Sequence, residues 1–187
     1  MLKAYETSLA SVFAALTALG AYVYIPLPLT PIPVTLQTFF IYLSALILGG
    51  RLAALSQALY VLLGCLGLPV FAGGKAGIGV LFGPTGGYLA AFIPAAYVAG
   101  RVCKAGRPLR TLTGLTTATI IIYAGGTLQL WILMNTIYGE GLGFMEALTL
   151  GVLPFIPGDT LKIFLAFLAS KSRSIESLRV RLSNLQG

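Results

Sequence analysis

From Thr7 to Gly50 the chain carries no charged side chain, and the same silence returns in three later stretches. Hydropathy and breaking residues divide the sequence into apolar segments at about 7–25, 35–49, 52–68, 83–100, 111–136 and 148–170, and charge enters only the last of them. A bilayer span needs about 20 predominantly apolar residues. The pattern therefore predicts an all-α integral membrane protein: a single domain over residues 1–187 with six transmembrane helices. Charged residues make up 9% of the chain, where a soluble domain has roughly 25%. Six spans leave no room for a soluble catalytic or nucleotide-binding module. The apolar run after the short N-terminal segment lacks the features of a cleaved signal and is expected to stay in the mature protein.

Lys and Arg test the six-span reading. Lys3, Arg51, Arg101, Lys104, Arg107, Arg110, Lys171, Arg173, Arg179 and Arg181 all fall on one side, Lys75 falls alone on the other, and Lys162 lies within the sixth segment. Such asymmetry orients a protein of the plasma membrane with both termini cytoplasmic. Five or seven spans would scatter these charges over both faces. The net charge of +7 does not indicate a nucleic-acid partner, because the basic residues lie in short runs between apolar stretches. Residues 172–187 form a basic cytoplasmic tail in which Ile175, Leu178, Leu182 and Leu185 recur at helical spacing, as in a helix lying on the bilayer surface. Cys65 and Cys103 fall on opposite faces, too far apart for a disulfide.

The chain contains no histidine, which removes the commonest general base and metal ligand together. Neither an enzyme nor a metal site is expected. Chemistry concentrates instead on Asp159 and Lys162, since ionisable groups inside a span are costly and face the bundle interior or a wet cavity. Three residues apart, they share a helix face. Pro154, Pro157 and Gly158 interrupt the segment before them, so a helix is expected to start afresh near Asp159. From there to Lys171 it would run about 20 Å, short of the ~30 Å hydrocarbon core. A broken helix with a charged pair at its new N-terminus is one way transporters build a substrate site. The alternative is structural, with Asp159 capping the helix and Lys162 neutralising it.

Three other features bear on function. The glycine-rich stretch from Phe71 to Tyr88, including Gly74 and Lys75, is long for a connector and has the apolar residues of a lid over a cavity. Thr35, Gln37 and Thr38 open the second span, either capping it or meeting a ligand. Ala10, Ala14 and Ala18 form a small-residue stripe on the first span, suited to close packing within the bundle or to docking another membrane subunit.

Pro33-Val34-Thr35-Leu36-Gln37-Thr38, Gly67-Leu68-Pro69-Val70-Phe71-Ala72-Gly73-Gly74, Phe82-Gly83-Pro84-Thr85-Gly86-Gly87-Tyr88-Leu89 and Pro154-Phe155-Ile156-Pro157-Gly158-Asp159-Thr160-Leu161-Lys162 together resemble the BioY family. Its members are the biotin-specific substrate-binding (S) components of energy-coupling-factor (ECF) transporters. The resemblance implies a six-helix S-component fold that binds biotin from outside as transported ligand, with no cofactor. It further implies a transmembrane coupling protein and two cytoplasmic ATPases as partners. On this resemblance Asp159 and Lys162 contact the ligand, and Ala10, Ala14 and Ala18 meet the coupling protein. Biotin's ureido ring, with two N–H donors and one carbonyl, suits a carboxylate beside an ammonium. Tyr88 is expected to line the pocket, and Lys75, Gln37 or Thr35 to reach the valerate carboxylate. A proton-coupled carrier of a small vitamin-like molecule, with Asp159 titrating against Lys162, is the alternative.

Overall fold

The computed structural model describes residues 4–104, 106–139 and 141–172, together with Ile175, Ser177, Leu178 and Leu182. Seven helices account for most of these residues: α1 (Ala4–Tyr22), α2 (Gln37–Leu48), α3 (Gly50–Cys65), α4 (Gly86–Val102), α5 (Pro108–Thr136), α6 (Phe144–Gly151) and α7 (Ile156–Ser170). The last two, joined by a 3-10 turn at Leu153–Phe155, make up one interrupted segment. Among the described residues, α5 and the segment Phe144–Ser170 are long and apolar enough to cross a membrane, while α2 and α3 are shorter apolar helices.

The short α2 has a local cause. Four prolines cannot continue a helix, and the joint they occupy closes instead as an antiparallel pair, β1 (Tyr24–Ile25) with β2 (Val34–Thr35), in the register Tyr24↔Thr35 and Ile25↔Val34. The pair takes Thr35 from the expected second span, Leu36 caps the helix, and Gly49, at φ +76°, ends α2 after 12 residues. At 1.5 Å per residue α2 is about 18 Å long. Its N-terminus is thereby set well inside the molecule, where Leu36 N–H donates to the carbonyls of Gly20 and Val23, each at 3.1 Å.

Close backbone approach organises the α4–α5 pair. A Cβ on Gly87 would collide with the carbonyl oxygen of Gly125, and one on Gly126 would lie inside the Tyr88 ring. The absent side chains let Tyr88 lie flat against α5. Its hydroxyl then reaches across to donate to the Gly151 carbonyl at 2.8 Å, fixing the end of α6. The continuous core includes Ile41, Tyr42, Tyr60, Phe71, Tyr88, Phe92, Leu115, Ile122 and Phe155.

One expectation is corrected here. The last helix restarts at Ile156, three residues before Asp159, and Pro157 occupies its first turn, where a missing N–H costs little. Asp159 is therefore inside the helix, and no side-chain bond caps the α7 N-terminus. Ala10 and Ala14 are 0% and 2% exposed and Ala18 is half-buried. Ala10 and Ala14 are thus taken up by packing within the chain, where α1 meets α2 and α3, while Ala18 keeps part of its surface exposed. Of the basic tail, Ile175, Ser177, Leu178 and Leu182 are helical, with Leu182 packed near Phe13, Leu48 and Leu52, while Arg173, Arg179, Arg181 and Leu185 lie outside the described residues.

Candidate ligand-binding cavity

A cavity opens beneath the glycine-rich stretch, between the N-terminal ends of α2, α4 and α7 and the middle of α5. Its wall is mainly apolar, with Ile32, Val80, Leu89, Phe92, Ile122 and Phe155 among the lining residues. The polar groups converge at one place. Asp159 and Lys162, both buried, meet at 2.8 Å between Nζ and Oδ1. Thr38 on α2 donates from its hydroxyl to the same Oδ1 at 3.0 Å and accepts from Lys162 Nζ at 3.1 Å. Tyr123 on α5 donates to Oδ2 at 2.7 Å. Three helices thus supply the donors for one carboxylate.

The count of lone pairs and protons shows what this arrangement can still do. A carboxylate offers about four acceptor positions and a lysine ammonium three donors. Three donors already reach Asp159, and Lys162 spends two of its N–H groups on Asp159 and Thr38. One acceptor position, on Oδ2, and one N–H of Lys162 remain, on two residues that both line the largely apolar cavity. That is the complement of an adjacent N–H and C=O on a ligand.

A second polar chain lies along the α2 wall. Thr35 donates to Gln37 Oε1 at 2.8 Å, Gln37 Nε2 donates to the Tyr60 hydroxyl at 2.5 Å, and Tyr60 donates to the Val70 carbonyl at 3.1 Å. The Tyr60 ring meets Phe71 edge to face at 5.7 Å between centroids. Phe71 in turn fills the space over Gly64, where any Cβ would overlap its ring. The same residues therefore hold Gln37 in the cavity wall and seat the glycine-rich stretch above it.

That stretch is ordered by its own contacts. It contains 3-10 turns at Ala72–Gly74 and Ile78–Phe82. Gln129 on α5 donates to the carbonyls of Leu81 and Gly83 at 2.6 and 2.9 Å, Gly77 N–H donates to the Gly64 carbonyl at 2.8 Å, and the Tyr22 hydroxyl donates to the Pro69 carbonyl. It covers the cavity as a fastened roof.

The residues singled out from sequence divide clearly. Asp159, Lys162, Tyr88, Gln37, Thr35, Phe71 and Lys75 all line the cavity. Gly74 does not; it sits at φ +74° in the turn where Gly74 N–H donates to the Phe71 carbonyl at 2.9 Å, shaping the roof. Lys75 is exposed at the mouth, its carbonyl accepting from Phe71 N–H at 3.0 Å. Tyr123 was not legible. Within Ile120-Ile121-Ile122-Tyr123-Ala124-Gly125 it reads as one more apolar helix residue, and only the packing of α5 against α7 brings its hydroxyl to Asp159.

The BioY family model matches residues 1–177. A probable biotin transporter BioY of Pyrococcus horikoshii is 43% identical over 161 residues, covering 86% of this chain and 91% of that protein. The biotin transporter BioY of Thermotoga maritima is 41% identical over 160 residues, covering 85% and 89%. In fold the chain is similar to the crystal structure, at 2.1 Å, of the S-component for biotin from an ECF-type ABC transporter, with a TM-score of 0.79 over 97% of this chain and 95% of that one at 21% identity. The chain belongs to the BioY family.

Proposed function

We propose that this chain binds biotin in the cavity beneath the glycine-rich roof, as the substrate-specific subunit of an ECF-type uptake transporter. The observation that carries the reading is the residual valence of the Asp159–Lys162 pair. One open acceptor on the carboxylate and one free N–H on the ammonium match one edge of a ureido ring, whose N–H and carbonyl are neighbours. The thiophane ring and aliphatic chain then lie along Ile122, Phe92, Leu89 and Phe155, as expected of a site that is mostly apolar with a few placed polar groups. Lys75 at the mouth is the cation placed to meet the valerate carboxylate. Thr35 and Gln37, already bonded to each other, fix the wall between the two ends.

The reading includes a topology. Six membrane segments, with α6 and α7 counted as one, place Lys75 and the cavity on the outer side and the basic joints with both termini on the cytoplasmic side. Beside the break at Leu153–Phe155, Tyr88 packs against the Phe155 ring and its hydroxyl satisfies the Gly151 carbonyl, which reduces the cost of interrupted backbone inside a membrane. No ATP-binding motif occurs in the sequence. Energy for release would come from partners, a transmembrane coupling protein and two cytoplasmic ATPases.

Calorimetric titration of the purified chain in detergent with biotin tests the assignment. Saturable binding by the wild type, weakened on the order of 100-fold in Asp159→Asn, is the expected result. A folded protein indifferent to biotin would overturn it. Retention of full affinity in Asp159→Asn would point instead to a carrier in which the carboxylate serves coupling and not recognition.

A further inference from the structure

At the end of the molecule opposite the ligand cavity, a second concavity is lined by Lys104, Arg107 and Lys171 together with Leu46, Phe167 and Ile175. The turn that brings the first two cations together is set by Arg107 N–H donating to the Lys104 carbonyl at 3.2 Å, with Gly106 at φ +69°. Pro108 then begins α5, a helix of 29 residues whose N-terminal end faces this side. Thr111 and Ser170 also line the concavity, but their hydroxyls are donated to the carbonyls of Lys104 and Phe167 at 3.3 and 2.7 Å. Among the described residues lining it none is acidic. Lys171 lies with its ammonium 4.6 Å from the centre of the Phe167 ring, directed over the apolar floor. Three like charges therefore share a partly enclosed surface with no carboxylate among the described residues that line it.

The surroundings decide what kind of anion belongs there. Leu109 and Leu112, on the first turns of α5, are 78% and 43% exposed, and Leu168 on α7 is 46% exposed. Cations thus stand over an apolar floor, and exposed leucines sit next in sequence to its lining residues Pro108, Thr111 and Phe167. A free inorganic anion would use the charges and gain nothing from Leu46, Phe167, Ile175 and the exposed leucines. A phosphate with acyl chains attached would use both.

We infer that this concavity binds the phosphate headgroup of an anionic phospholipid, with Lys104, Arg107 and Lys171 around the phosphate and the acyl chains along α5 and α7. The topology proposed above bears only on which leaflet supplies the lipid, and binding in detergent is independent of it and of biotin recognition.

The test is native mass spectrometry and thermal-shift titration of the full chain in detergent with short-chain phosphatidylglycerol, short-chain phosphatidylcholine and inorganic phosphate. Phosphatidylglycerol should bind and stabilise, with phosphatidylcholine and phosphate weaker by at least tenfold. Lys104→Gln, Arg107→Gln and Lys171→Gln should each weaken phosphatidylglycerol roughly fivefold, and the triple variant should lose it. Arg51→Gln, an exposed cation absent from the lining, should leave it unchanged. Biotin titration of each variant reports folding. Unchanged phosphatidylglycerol binding in a triple variant that still binds biotin would overturn the inference, as would equal weakening by Arg51→Gln. Phosphate binding as tightly as phosphatidylglycerol would overturn the lipid assignment in favour of a soluble phosphate.

Discussion

The two concavities treat charge in opposite ways. In the ligand cavity one carboxylate and one ammonium are buried, and Thr38 and Tyr123 complete their hydrogen bonding. In the basic concavity Lys104, Arg107 and Lys171 are exposed and have no acidic neighbour among the described lining residues. Burial explains the contrast. A buried charge without partners costs several kcal/mol, so the interior pair must be nearly saturated by its own chain, and what recognition it offers lies in the little valence left over. Exposed cations keep their water until a partner comes, so they can stay unpaired and bind through charge number and apolar surroundings. The first arrangement favours selectivity for one ligand, and the second favours a class of ligands.

The largest expected effect breaks the interior pair from one side. Lys162→Met leaves Asp159 buried without its counter-ion and should destabilise the protein by about 3–5 kcal/mol, seen as a large fall in thermal midpoint in detergent. The double variant Asp159→Asn, Lys162→Met should recover most of that loss while binding no biotin. Next is Tyr123→Phe, which removes one donor from the carboxylate and should cost about 1.5–3 kcal/mol; an unchanged midpoint would mean that the Tyr123 bond does not matter. Tyr60→Phe frees Gln37 and the Val70 carbonyl together, for about 1 kcal/mol, and should weaken biotin binding mildly by loosening the wall under the roof. Smallest is Lys171→Gln, which should shift stability without lipid by less than about 0.5 kcal/mol. Raising salt should separate the two regions in the same order of logic. Phosphatidylglycerol binding should fall steeply with ionic strength, while stability conferred by the buried pair should barely respond.

How far the sequence could be read follows from the same physics. Asp159 and Lys162 announce themselves because charge inside an apolar stretch demands explanation, and their spacing of three puts them on one face wherever the helix begins. Breaks in the apolar runs drew attention to Thr35, Gln37, Phe71 and Lys75, and the family resemblance with biotin's chemistry gave Tyr88, Lys75, Gln37 and Thr35 their place at a pocket. Tyr123 was not, since a tyrosine within an isoleucine run gives no local sign of its partner 36 residues away. The alanine stripe on α1 was visible but its direction was not: small residues permit close approach without saying to what, and at Ala10 and Ala14 the chain itself takes the space. Proline spacing located the break before α7 but misjudged its start, because Pro157 fits a first helical turn as readily as it ends a helix. The β1–β2 pair was hidden for a related reason. Two-residue strands leave no periodicity to detect, and the pairing that sets the entry of α2 is a tertiary fact.

The central claim is that the cavity recognises the ureido edge through the one acceptor left on Asp159 and the one N–H left on Lys162. Its most direct test is a pair of calorimetric titrations of the wild-type chain, one with biotin and one with the diamine obtained by removing the ureido carbonyl, which keeps the thiophane ring and valerate chain. The account predicts saturable biotin binding and a loss on the order of 100-fold or more for the diamine, because the free Lys162 N–H would face a group with no carbonyl to accept it. Equal affinity for the two compounds would contradict it, and would assign recognition to the apolar wall and the mouth.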